Sequence, residues 1–119
     1  MEWTIEYIAV ENTLYIKTKG VLTPESANAM VKEIVQAAAF NQCNKQIVDH
    51  RETVFALDFI EYYERPSINQ HIGISHSWKI AMVFKELNKE TYFMETVFRN
   101  RGFKFRQFAD IEEAKAWLA

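Results

Sequence analysis

Asp49, His50 and Arg51 place a carboxylate, an imidazole and a guanidinium in consecutive positions. Asp49 and His50 could move a proton between them as acid and base. Catalysis would also need a nucleophile or a metal within reach, and the sequence offers neither, so no catalytic residue is assigned. The plainer reading is that Asp49 accepts backbone N–H groups and pairs with Arg51. His71 and His76 stand five apart, just before the run 79-KIAMVF-84. That places them at the opposite rim of any sheet from His50, so the three histidines do not form one metal site. Gly20, Gly73 and Gly102 are isolated, which excludes a glycine-rich phosphate loop. The single cysteine, Cys43, excludes an internal disulfide and a cysteine zinc cage. No cofactor and no metal are expected.

The stretch 101-RGFKFRQF-108 raises a different chemistry. Six of its eight positions fit the signature of an RNA-recognition domain. In that signature the residues between the stacking aromatics face the core. Here they are Lys104 and Arg106, and burying two unpaired charges costs several kcal/mol each, on the order of the usual penalty for buried ions. The strand is better turned the other way, with Phe103 and Phe105 inward. Only 11 residues follow Phe108, too few for the helix and strand that RNA recognition still requires. Arg99, Arg101, Lys104 and Arg106 remain a basic cluster, either a solvated edge or a dock for an acidic partner.

Certain elements must position these groups. Residues 3 to 9 and 14 to 18 alternate in polarity around a turn at Glu11 and Asn12, and read as a hairpin. Thr23 and Pro24 open a helix whose stripe is Ala27, Met30, Val31, Ile34, Val35 and Ala38. Gln46 to Asp49 reads as a short buried strand that ends in Asp49, His50 and Arg51. Phe55, Phe59, Ile60 and Tyr63 recur at helical spacing over 55 to 72, and Pro66 is expected to break or kink that helix. KIAMVF looks like a central parallel strand. Asn88 caps a helix that Gly102 ends, Phe103 to Phe108 is a strand, and Asp110 caps a last helix with Ile111, Ala114, Trp117 and Leu118 inward.

The order β-β-α-β-α-β-α-β-α implies a single α/β domain over residues 1 to 119, with a mixed, mostly parallel sheet of about five strands and an N-terminal antiparallel hairpin. A formal charge of −2 gives no general pull toward nucleic acid or anionic lipid. The opening residues carry no signal peptide and no membrane span, so a cytoplasmic protein is expected.

The order of elements and the last third of the chain resemble a known family. KIAMVF, the helix after it, and the ending Phe108, Asp110, Glu112, Glu113, Ala114, Trp117 and Leu118 are similar to SpoIIAA-like proteins of the STAS superfamily. Gly20 with Thr23-Pro24-Glu25, and Ile47-Val48-Asp49 followed by Arg51, fit its front half. The resemblance implies a non-catalytic binding or regulatory module acting through a protein partner. In the best-known members a Ser or Thr after the third strand is phosphorylated within a D-S-S-G-like motif. The corresponding loop here, 49-DHRETVFALD-58, has no Ser and no Gly, and Thr53 is its only hydroxyl. A relation in fold to CRAL-TRIO lipid-exchange domains implies the alternative, a small apolar ligand or lipid held in an aromatic cleft.

Ligands of open parallel sheets bind beyond the C-terminal strand ends. Those ends offer Asp49, His50, Arg51 and Thr53 from one loop, Lys85, Glu86 and Asn88 from the next, and Asp110 from the last. Of the nine Phe and five Tyr, Phe55, Phe59, Tyr62, Tyr63, Tyr92, Phe93 and Phe98 fall on the two middle helices, where Tyr62, Tyr63 and Tyr92 suit a partly exposed cleft or a subunit interface. A homodimer would use the same face.

Overall fold

The computed structural model describes residues 1–119. Five strands and four helices follow in the order β1 (Glu2–Ile8), β2 (Thr13–Leu22), α1 (Pro24–Asn41), β3 (Lys45–Phe55), α2 (Phe59–Ile72), β4 (Lys79–Val83), α3 (Lys89–Asn100), β5 (Lys104–Phe108) and α4 (Ile111–Leu118). The strands lie in one sheet in sequence order, β1-β2-β3-β4-β5. β1 is antiparallel to β2, and every later pair is parallel.

This order decides where the helices go. Each parallel crossover steps the same way across the sheet, and crossovers share one hand. The three connecting helices therefore fall on one face. Residues of α1, α2 and α3 form the larger core with Leu14, Ile16, Val48, Ile80 and Phe105. α4 leads to no further strand, and it covers the other face through Ala114 and Leu118 on Ile47, Ala81, Val83 and Phe108.

Local signals start each helix. Thr23, Asp58 and Asn88 each close a capping box with the residue three positions on, and Asp110 caps α4 through the Glu112 N–H. The stripe read on α1 is the buried one, apart from half-buried Val35. Phe103, just before β5, and Phe105 within it are buried while Lys104 and Arg106 are exposed, the orientation expected from the sequence.

Two expectations are corrected. β3 does not stop near Asp49 but runs eleven residues to Phe55, so Asp49, His50, Arg51 and Thr53 lie within a strand, not in a loop. The pairing with β2 shifts register between Lys17 and Lys19, a bulge that lets β3 continue past the polar residues. The second correction concerns α2. Its buried residues are Tyr62, Arg65, Pro66 and Asn69, while Phe59, Ile60 and Tyr63 are exposed. Phe55 belongs to β3. Pro66 does not end α2, since its buried ring sits between the Asp58 cap and the Gly73 end, whose N–H bonds Asn69 and Gln70.

α2 is also set apart by what it touches. α1 packs on β1 and β2, and α3 packs on β5, but α2 rests on α1 and α3 with its backbone set back from every strand, and it meets β3 through the Phe55–Tyr62 ring contact. A space is left beneath it.

Candidate functional site

Side chains alternate along β3, so its neighbours in sequence serve opposite faces. Gln46, Val48 and His50 point under the three helices, and Ile47 faces α4. Asp49 is buried and bonds Arg51 three ways: its Oδ1 accepts from the Arg51 backbone N–H at 3.1 Å and from Nε at 2.9 Å, and its Oδ2 accepts from a terminal guanidinium nitrogen at 2.8 Å. Burial works to raise the Asp49 pKa, but the Arg51 hydrogen bonds and charge overcome it and hold the carboxyl below its ordinary value.

His50 has a different set of partners. Its Nδ1 lies 2.7 Å from the Thr18 hydroxyl, which also touches the Thr53 hydroxyl and the Asp49 carbonyl. The ring stands edge-on to Phe55 at 4.8 Å and stacks on Phe84 at 5.9 Å, and Phe55 stacks in turn on Tyr62 at 6.3 Å. His50 is only 2% exposed, and burial pushes its pKa down to about 3. Burial thus favours its neutral form. No hydrogen bond joins it to Asp49, so the acid–base dyad read from the sequence is not formed.

Beyond the C-terminal strand ends lies an open groove of about 560 Å³. His50, Thr53, Tyr62, Lys85 and Asn88 all line it, joined by Phe55, Leu57 and Phe84. Five residues chosen from sequence thus meet in one place. Asp49 and Arg51 do not, because they belong to the other face, where Asp110 also stands near Arg51. Tyr63 is half-exposed and carries the Arg101 guanidinium 5.0 Å above its ring. Tyr92 is exposed on α3 and lines neither the groove nor its extension. The extension lies between the first turns of α2 and α3, where Phe59 stacks on Phe93 at 4.6 Å.

Behind the groove an inner cavity of about 50 Å³ occupies the space under α2. His50, Phe55, Leu57 and Met94 belong to both. Its walls are mostly apolar, and its polar members are Gln46, His50, Arg65 and Asn69. Nε2 of Gln46 and Nε2 of His50 are buried without a hydrogen-bond partner. Sequence reasoning missed Gln46, Arg65 and Asn69. The available signal was the spacing of Tyr62, Arg65, Pro66 and Asn69, a helical stripe hidden by its polarity. No three histidine, cysteine or acidic side chains converge as a metal would require. No helix is long and apolar enough to cross a membrane.

No protein-family model matches the chain, and no curated protein does either. Among solved structures it is similar to the anti-sigma factor antagonist SpoIIAA in its unphosphorylated form. The superposition reaches a TM-score of 0.56 over 98% of this chain and 97% of that one, at 16% identity. The chain has the SpoIIAA-like fold. At so low an identity the likeness concerns architecture alone, and it agrees with the STAS-type order of elements. In the SpoIIAA-like frame, Thr53 sits on the last turn of a long third strand, its hydroxyl engaged by Thr18 rather than free.

Proposed function

We propose that this SpoIIAA-like domain is a non-catalytic binding module that docks a protein partner on the rim around its groove. One observation carries the reading. Val54, Phe59 and Ile60 are 68%, 69% and 64% exposed, and they crowd the β3–α2 corner beside the groove. Large apolar side chains left in water at one corner mark an interaction surface. Lys85, Glu86, Lys89 and Glu90 supply a polar rim of both signs next to it. SpoIIAA is by its description an antagonist of another protein, which agrees in kind.

The test uses Ile60→Glu against Phe40→Glu. Phe40 is 86% exposed but sits at the far end of α1. A partner cross-linked to the wild type in cells should be lost with Ile60→Glu and kept with Phe40→Glu. Equal capture by all three proteins would sink the reading.

A second reading, a binder of small apolar ligands, is favoured by the cavity under α2. A mostly apolar space holding two unpartnered polar atoms is an unusual interior, since buried polar groups nearly always find partners. The two readings use adjoining surfaces and are compatible.

A further inference from the structure

The wall of the inner cavity contains a charge with no counter-charge. Arg65 is 6% exposed and lines the cavity. Its terminal nitrogens donate to Asn28 Oδ1 at 2.7 Å and Asn69 Oδ1 at 2.6 Å, both neutral amide oxygens. A guanidinium has five N–H donors, so three have no protein partner. None of the four salt bridges of the chain includes Arg65. A buried cation without an acid is costly and is retained only for a reason.

The same cavity holds two further polar atoms without partners, the amide nitrogen of Gln46 and Nε2 of His50. Gln46 is 1% exposed, on the same face of β3 as His50. Thr18 occupies the other ring nitrogen of His50, leaving Nε2 as its free one. The remaining walls are aliphatic and aromatic, with Met30, Ile34, Met94 and Phe105 among them. The cavity volume of about 50 Å³ is several times what one water needs. The cavity shares His50, Phe55, Leu57 and Met94 with the outer groove.

We propose that the cavity under α2 binds a small aliphatic monocarboxylic acid, its carboxylate toward Arg65, Gln46 and His50 and its chain among the apolar walls. This inference rests on the ligand-binding reading and adds the head group to it. Water alone would satisfy the two stray polar atoms, but it would not neutralise Arg65. A planar carboxylate matches the guanidinium fork and has oxygens to spare for the Gln46 amide. The carboxylate supplies the missing negative charge, and the short chain displaces no polar contact.

Propionate and propan-1-ol test this directly. They share a short chain, in keeping with the small cavity, and differ at the head. Each is titrated at pH 7 into the ¹⁵N-labelled full chain. Propionate should shift the amides of Gln46, Val48, His50, Arg65 and Asn69 saturably, and bind at least tenfold more tightly than propanol. Arg65→Met should bring the two ligands to equal affinity. The wild-type comparison stands even where that variant does not fold. Equal affinity in the wild type would overturn the carboxylate assignment and leave an apolar-ligand site. No shift of these amides with either molecule would overturn both.

Discussion

At the scale of single residues, His50 sets the acid stability of the molecule. Its folded pKa is pushed down to about 3 from the ordinary 6.5 by burial. Between those values the unfolded chain takes up a proton that the folded one refuses, so stability falls as pH falls. Above pH 6.5 the full contribution is present. At pH 4.5 the loss amounts to about 2–3 kcal/mol. Asp49, also held below its ordinary value, loses its share only at lower pH still. Urea unfolding at pH 7 and pH 4.5 should therefore show that drop in the wild type and much less of it in His50→Phe. Equal drops in both would mean that another group carries the acid sensitivity. Asp49 and His50 also mark what a residue list cannot convey. They are adjacent in sequence, yet a strand turns them to opposite faces, and the bulge opposite Thr18 follows directly in β3.

At the scale of elements, the ends of the helices do much of the positioning. Gly73 closes α2 at φ +136°, and an added Cβ there would lie 2.8 Å from Val35 Cγ1 on α1. Gly73→Ala should lower stability by about 1–3 kcal/mol through backbone strain and this clash together. Val35→Ala in the same chain should return part of that loss, measured as urea midpoints for the four proteins of the cycle. No return would mean that the strain is wholly in the backbone. α1, β4, α3 and α4 were legible because capping residues and apolar spacing agreed. β3 and α2 were not. Beyond Val48 the sequence of β3 turns polar, and pairing with β2 rather than hydropathy carries the strand on to Phe55. In α2 hydropathy points outward. Its apolar residues Phe59, Ile60 and Tyr63 face water, and its inward stripe contains Arg65 and Asn69. A rule that sends apolar residues to the core fails where the inner side brings Arg65 and Asn69 to the wall of a mostly apolar cavity. The groove residues His50, Thr53, Tyr62, Lys85 and Asn88 were legible because a parallel sheet gathers its strand ends whatever the sequence.

At the scale of the whole molecule, the two faces of the sheet are unequally secured. Three helices guard one, and α4 alone guards the other, with Ile47, Ala81, Val83 and Phe108 beneath it. A chain ending at Phe108 would expose that row while keeping every strand. It should bind a hydrophobic dye such as ANS strongly and aggregate at concentrations where the full chain stays clear. Clear, dye-free behaviour would show that α4 is dispensable. The fold itself was readable at this scale from the order of elements, and a match at 16% identity shows how little of it depends on particular side chains.

The set-back of the α2 backbone from the strands has a consequence for motion. A helix tied to the sheet by the Phe55–Tyr62 contact and otherwise held at its flanks should lift as a unit while the hydrogen-bonded sheet stays closed, at a free energy below that of global unfolding. Amides of the sheet should then be the slowest to exchange and those of α2 among the fastest in a helix. The interior would then trade its contents with solvent at the rate of that local opening, and not at the far slower rate at which the molecule unfolds.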